Sequence, residues 1–374
     1  MAVSRNRIRT IGIECESLEG DVYGVARITH NLIRALAARP TLGNAWHCTL
    51  YFKRAVPAEY ATLDPAVFTT RVIGLGSFSL YYYLALPLRL WRDRPDFMYY
   101  PNYMLPVLHP PHVRSVVMLT EDIYREMHNP RLPLRYRIAY RIFAAGWAAH
   151  RATNVMAISN ASADALKVYI SPERIVVNPL GVTPPARSTV GEFGRYFLWV
   201  GQAFERRHLR EALAAFAPIA AEHADLEFRI IGSDKYDPPM ISEAVRHLNR
   251  VLGRQAVSWR QSVDENELSA AFAGAQALVY VSDTEAFGLP PLEALVHGTP
   301  AVVADTPITR EVFGSHAFFA SRTDVTGIGE ALRRAIDDRR ERSRILTATA
   351  SIASRFTWSG FADRFLRMAR KLAR

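Results

Sequence analysis

Ser282-Asp-Thr-Glu-Ala-Phe-Gly-Leu-Pro-Pro-Leu-Glu-Ala-Leu-Val-His-Gly-Thr-Pro300 is the stretch whose reading decides the fold of this chain. It lies between two apolar runs, Ala277-Leu-Val-Tyr-Val281 and Ala301-Val-Val-Ala304. That context predicts strand, loop, helix, turn, strand. Pro290 and Pro291 suit a first helical turn, where a missing N–H costs nothing. Gly298 suits the C-terminal end of that helix, and Pro300 follows. Glu285 falls in the loop at the carboxyl end of a strand, and Glu293 in the first helical turn. Between them, Phe287, Gly288 and Leu289 offer backbone N–H groups at a helix N-terminus, which favours an anion. Gly288 lets a ligand approach the backbone closely. Such a loop could hold a phosphate and several sugar hydroxyls together. The residues alone leave that reading level with a plainer one, a further βα unit carrying solvated acids.

The rest of the composition narrows the class. The chain has 374 residues, 49% hydrophobic and 22% charged, which is ordinary for a globular protein and long enough for two domains. Two cysteines, Cys15 and Cys48, build no disulfide framework and no zinc spacing, so a reducing cytoplasm fits. The formal net charge of +10 points to nucleic acid, an anionic membrane or an anionic substrate. No helix-turn-helix, RNA-binding or zinc-finger pattern occurs, which discounts nucleic acid. The opening residues do not read as a signal peptide, and no segment offers the roughly 20 apolar residues of a membrane span. A soluble or membrane-surface protein is expected.

Outward from the opening stretch, strands alternate with helices along the whole chain. Ile8 to Ile13 predicts a first strand, Gly24 closes a loop, and Val25 to Ala38 has apolar residues at helical spacing. This is a Rossmann-type opening without the full Gly-x-Gly-x-x-Gly of a dinucleotide enzyme. Further strands are expected at Cys48–Phe52, Thr69–Ile73, Phe97–Tyr100, Ser115–Leu119, Val155–Ile158 and Ile175–Val177. Gly74-Leu-Gly76 reads as a strand-end turn with no clear amphipathic helix after it. Leu80 to Trp91 is apolar, aromatic and flanked by arginines. Burial is the favoured reading there, and a membrane-facing segment is the alternative. Arg131 to Arg151 predicts a basic helix, with a solvated face as the default and attraction to anionic lipid as the sharper alternative.

Thr183 to Gly194, with two prolines and two glycines, is the best linker. It divides an N-terminal Rossmann-like domain, residues 1–183, from a C-terminal one, residues 195–357, with 184–194 between them. Tyr196-Phe-Leu-Trp-Val200 restarts the strand-first pattern. The loop after it carries Arg206 and Arg207 before a helix from about Arg210. Leu226–Ile231 and Val257–Trp259 predict strands, and Arg260-Gln-Ser262 a strand-end loop. Trp358 to Arg374 predicts a basic amphipathic helix.

Glu285 and Glu293, with seven residues between them that include Phe-Gly-Leu-Pro, resemble the signature of retaining GT-B glycosyltransferases, glycosyltransferase family 4. Ala286 stands where the family usually has glycine. The resemblance implies an α/β fold of GT-B type: two Rossmann-like domains with parallel sheets facing across a cleft, and a C-terminal helix, residues 358–374, crossing back to the first domain. It implies that Arg206 and Arg207 clamp the pyrophosphate of a nucleotide-diphosphate sugar, GDP- or UDP-linked, with Arg207 in place of the family lysine. It implies that Glu293 binds ribose hydroxyls and Glu285 the donor sugar. Backbone at Phe287, Gly288 and Leu289 would hold sugar and phosphate, and Arg260 and Gln261 lie in the loop that holds the base. Gly24 and Val25 are similar to the family's glycine-rich loop. Asp122 matches the family's acidic residue, and Glu121 stands where the family has a histidine that contacts the donor sugar.

No obligatory cofactor and no metal site is expected on this resemblance. The implied reaction is hexosyl transfer, leaning to mannose or rhamnose, onto a glycan or lipid-linked acceptor in bacterial surface polysaccharide or O-antigen assembly. The expected location is the cytoplasm, with the inner face of the membrane as the alternative through the basic N-terminal domain. A nucleotide-sugar epimerase and a non-catalytic carbohydrate-binding protein of the same fold stand as the rival functions.

Overall fold

Among the described residues of the computed structural model, thirteen short strands fall into two parallel sheets, each strand followed by a helix or loop that returns the chain to the same edge. The structure describes residues 8–20, 24–120, 122–130, 133–185 and 194–372, apart from the side chains of Asp122 and Glu126. The first sheet contains β1 (Arg9–Glu14), β2 (Trp46–Phe52), β3 (Phe68–Val72), β4 (Phe97–Tyr100), β5 (Arg114–Met118), β6 (Asn154–Ala157) and β7 (Ile175–Val177). Its order is β3-β2-β1-β4-β5-β6-β7. The second contains β8 (Tyr196–Val200), β9 (Glu227–Ile231), β10 (Val257–Arg260), β11 (Ala277–Tyr280), β12 (Ala301–Ala304) and β13 (Phe318–Ala320), in the order β10-β9-β8-β11-β12-β13. Every residue of β4, β11 and β12 is buried, as a parallel sheet covered on both faces requires.

The chain divides into two compact units, Met1–Gly181 with Trp358–Arg374, and Val182–Thr357. The expected linker falls largely on residues 186–193, which lie outside the described residues. The last helix, Trp358–Leu372, is built into the first unit. Phe365 is fully buried, with its ring centroid 5.6 Å from that of Phe97 and 5.2 Å from that of Tyr99. Arg364 donates from Nε to Asn178 Oδ1 at 2.8 Å, and Arg39 pairs with Asp363 at 2.6 Å.

In the first unit the helix Val25–Ala37 buries Ile28, Leu32 and Leu36, the face its spacing predicted. Residues 78–93 form the expected helix and correct one expectation, since it is not simply buried. Tyr81, Tyr82, Leu86 and Leu90 are enclosed, but Leu80, Leu84, Leu88 and Trp91 are each about half exposed. A helix lying on a sheet covers only one of its own faces, so one that is apolar all round must leave the other out. The basic helix begins at Leu134, behind Pro133, and runs to Arg151 with a π-helical middle. Arg131 lies outside the described residues.

In the second unit Phe197, Phe216 and Phe228 cluster with centroids 5.3 to 6.5 Å apart and join β8 and β9 to the helix Leu209–Glu222. Asp234 caps the helix Ile241–Val251, its Oδ2 accepting from the N–H groups of Met240 and Ile241 at 2.7 Å. Asp264 and Glu267 form a reciprocal capping box on the helix Glu265–Ala273.

Phe365→Ala removes a ring that seats the last helix on the first sheet, and such truncations cost about 3–5 kcal/mol. The expected outcome in urea denaturation is an earlier unfolding transition with a correspondingly lower midpoint. A midpoint equal to wild type would show that the last helix is not integral to this unit.

Candidate functional site

Strand order locates the place where a site can form. In the second sheet β8 has β9 on one side and β11 on the other, and the connections on the two sides run in opposite senses. At such a reversal the loops leaving the carboxyl ends diverge and a crevice opens between them. The two loops concerned are residues 201–208 after β8 and 281–288 after β11, the very stretches singled out in the sequence.

Three links tie these loops together. Arg207 donates from Nε to Glu285 Oε1 at 2.9 Å, with both side chains only about one-sixth exposed. His208 Nε2 stands 2.7 Å from Asp283 Oδ1. The Asp283 N–H donates to the Arg206 carbonyl at 3.0 Å. Arg207 is held further by a hydrogen bond from Nη1 to the Gln202 carbonyl at 3.0 Å, and its guanidinium lies 5.0 Å from the centre of the Tyr280 ring. Tyr280 donates to the same Glu285 oxygen at 3.0 Å. Burial first, then the neighbouring Glu285 charge, pushes the Tyr280 phenol well above its ordinary value, so it stays a donor.

Arg206 is arranged differently. Its guanidinium lies 4.6 Å from the centre of the Phe204 ring, and its Nε is buried with no hydrogen-bond partner among the described residues. A cation without a carboxylate, beside one that has a carboxylate, is an unmet demand for an anion. The backbone permits this packing at two glycines. A Cβ on Gly201, φ +131°, would stand 3.1 Å from Arg207 Nη1, and one on Gly232, φ +143°, would stand 1.6 Å from the Gly201 carbonyl oxygen.

The helix Leu289–Val296 starts at Gly288, which holds φ +81° and ψ +63°. The N–H groups of Phe287, Gly288 and Leu289 donate to nothing among the described residues, and Pro290 and Pro291 have none to donate. Glu293 is the fifth residue of this helix, one turn later than its sequence position suggested, and is 6% exposed. Its carbonyl accepts from His297 Nδ1 at 2.7 Å, and His297 Nε2 lies 3.0 Å from the Ser269 hydroxyl.

Other expected residues fall elsewhere. Arg260 makes a bidentate pair with Glu267, both bonds 3.0 Å, on an exposed surface at the end of β10, and Gln261 is exposed beside it. β10 is two strands away from β8. In the first unit, Gly24 has φ +50° and precedes Val25, the first residue of its helix. Asp122 opens a short helix, Asp122–Glu126, its side chain outside the description, and Glu121 lies outside the described residues. The described residues hold no cluster of metal-binding side chains.

One residue went unrecognised in the sequence. Glu14 ends β1, at the order reversal of the first sheet between β1 and β4, and is fully buried. It accepts from the Tyr81 hydroxyl at 3.2 Å and the Glu16 N–H at 2.8 Å, with Asn102 Nδ2 at 3.4 Å from its other oxygen. Burial, opposed by the Glu16 N–H and assisted by the charges of Glu16 and Glu19, raises its carboxyl to about 8. An acid directly after the apolar run Ile11–Ile13 was its only signal in the sequence. A polar groove beside it is lined by Glu16, Ser17, Glu19, Lys53 and Arg54, with Lys53 Nζ paired to Glu16.

Residues 186–351 match the family described as Glycosyl transferases group 1. A stretch of 139 residues, 36% of this chain, is 30% identical to the serotype-specific mannosyltransferase WbdA of Escherichia coli. It spans 16% of that relative's length. The O-antigen chain mannosyltransferase RfbU of Salmonella typhimurium is 24% identical over 68% of this chain and 69% of its own. Among solved structures, Anabaena HepE in complex with UDP-glucose superposes with a TM-score of 0.69 over 97% of this chain and 99% of its own, at 16% identity. The fold is of GT-B type.

Arg207→Ala leaves Glu285 with Tyr280 as its remaining side-chain donor among the described residues, whereas Arg206→Ala removes no ion pair among them. The expected outcome is a melting temperature lowered by several degrees in the first variant and close to wild type in the second. Equal losses would place structural weight on Arg206 as well. For Glu14 the sign is fixed by its raised value. Its contribution to stability is fully present below pH 4.5 and is lost as pH rises through about 8. Glu14→Gln removes that loss, so its melting temperature gains on wild type between pH 5 and pH 8. A gap independent of pH would refute the buried proton.

Proposed function

We propose that this chain, whose residues 186–351 match a glycosyl transferases group 1 domain in a GT-B fold, is a retaining hexosyltransferase. Its donor is a nucleotide-diphosphate sugar, GDP- or UDP-linked, and its acceptor a glycan or lipid-linked glycan of a bacterial surface polysaccharide or O-antigen. Mannose is the favoured sugar, because WbdA and RfbU are both named mannosyltransferases. The inner face of the cytoplasmic membrane is the favoured location. The observation that carries the reading is the loop junction at the order reversal of the second sheet: Arg207 fixed on Glu285, with Arg206 beside it lacking a carboxylate.

The chemistry assigned to these groups is electrostatic. As the bond between the sugar's anomeric carbon and the diphosphate oxygen breaks, negative charge grows on the leaving nucleoside diphosphate. Arg206 and Arg207 meet that charge from fixed positions, so little reorganisation is needed. The acceptor hydroxyl attacks from the same face, and its proton passes to the departing phosphate oxygen. No protein base is required. Phe287, Gly288 and Leu289 supply N–H donors, Glu285 takes sugar hydroxyls on its second oxygen, and Glu293 takes the ribose hydroxyls. The groove beside Glu14 and Lys53 offers hydroxyl donors and acceptors for the acceptor glycan.

A thermal-shift series with GDP, UDP, ADP and dTDP tests the donor site. At least one diphosphate is expected to raise the melting temperature by several degrees, and stabilisation by none of the four would sink the proposal. The double variant Arg206→Ala, Arg207→Ala is expected to weaken the diphosphate at least tenfold while nucleoside binding changes little. Equal loss of both would count against a pyrophosphate clamp.

A further inference from the structure

Two helices of the first unit carry rows of apolar side chains that the described structure leaves about half exposed. On residues 78–93 the row is Leu80, Leu84, Leu88 and Trp91, spaced by four, four and three residues, so it follows one face. On residues 134–151 the row is Leu134, Ile138 and Ile142, spaced by four throughout, and these are 65%, 46% and 53% exposed. The helices touch: the rings of Tyr83 and Phe143 lie 5.2 Å apart. Leu84 and Ile142 are the chain neighbours of those rings, so both rows run beside the same seam. Val107 and Leu108 of the loop 101–113 are also exposed, and Trp91 packs edge-on to His112 of that loop at 5.1 Å.

The charge around these rows has one sign. Residues 133–151 hold Arg135, Arg137, Arg141 and Arg151 and no acid. Residues 78–94 hold Arg89, Arg92 and Arg94 against one acid, Asp93, which Arg89 pairs at 2.8 Å. Arg135 folds over the Tyr136 ring at 4.9 Å, beside Leu134. Aliphatic rows bordered by arginines, with Trp91 and Tyr136 among them, match a lipid surface: acyl chains accept the rows, the headgroup region accepts the rings, and anionic headgroups pair with the guanidinium groups. No helix among the described residues is long and apolar enough to cross a membrane, so the contact is in the plane of the surface.

We propose that helices 78–93 and 134–151 together form a docking face for an anionic lipid bilayer, with Leu80, Leu84, Leu88, Ile138 and Ile142 entering the acyl boundary and Arg92, Arg135 and Arg141 meeting the headgroups. This deepens the membrane location proposed above and supplies its residues. The face belongs wholly to the first unit, so it stands or falls apart from the donor loops of the second.

The test is co-sedimentation of the full chain with vesicles of phosphatidylcholine containing a third phosphatidylglycerol, and with phosphatidylcholine alone. The wild type is expected to partition onto the anionic vesicles at least tenfold more strongly, and to lose most of that binding in high salt. Leu84→Glu with Ile138→Glu, both at exposed positions, are expected to cut partition at least tenfold while nucleotide stabilisation is unchanged. Arg135→Glu with Arg141→Glu are expected to do the same and to remove the salt dependence. Wild-type protein remaining in the supernatant, or variants binding as wild type does, overturns the proposal. A wild type that self-associates without vesicles and becomes monomeric in the Leu84→Glu, Ile138→Glu variant also overturns it, and assigns the rows to a second copy of the chain.

Discussion

A parallel sheet whose order reverses about one strand leaves a gap at its carboxyl edge that short loops cannot close. That constraint governs the second unit. β8 is drawn between β9 and β11 because all three are apolar and need neighbours on both edges. The helices on the two sides then pull the outgoing loops apart. What keeps the gap from collapsing or fraying is the Arg207–Glu285 pair, seconded by His208 and Asp283. Glycine at 201 and 232 is part of the same arrangement, since a side chain at either would push into the backbone or into Arg207.

The first sheet obeys the same constraint and fills its gap with the opposite chemistry. Where the second unit presents cations and free N–H groups, the first buries a carboxyl, Glu14, on a tyrosine hydroxyl and an asparagine amide. Desolvation keeps that carboxyl protonated near neutral pH, so it can donate as well as accept. In the proposed function, the cationic junction of the second unit is the place for the charged donor.

Helical residues 78–93 and 134–151 show how a sheet can leave apolar surface unburied. Each lies against the first unit with Tyr81, Tyr82, Leu90 or Ala144 inward, and each repeats aliphatic residues on the far side. Continuous apolar patches of this kind are rare on a surface that meets only water. In the docking proposed above, the arginines around them would orient the face toward a surface of opposite charge.

Much of the architecture was legible in the chain. Alternating apolar runs and helical spacings located every described strand but β13 to within a residue or two, Pro290 and Gly298 bounded the helix after Glu285, and the arginines after β8 stood out because they follow a strand end. Spacing by two or by three and four residues is local, so sequence carries it. Arg260 shows the limit of such a reading, because a strand end looks the same in sequence whether the strand is central or at the margin, and the order β10-β9-β8 is what sets it two strands from β8. Leu80 to Trp91 misled because apolar residues on every face show no preferred side. Glu14 was hidden because burial of a carboxyl depends on Tyr81 and Asn102, far along the chain. The sequence by itself determined which segments are strands and helices and which loops carry charge. Tertiary structure alone decided which of those loops meet, which apolar face stays outside and which acid keeps its proton, because each depends on neighbours that are distant in the chain.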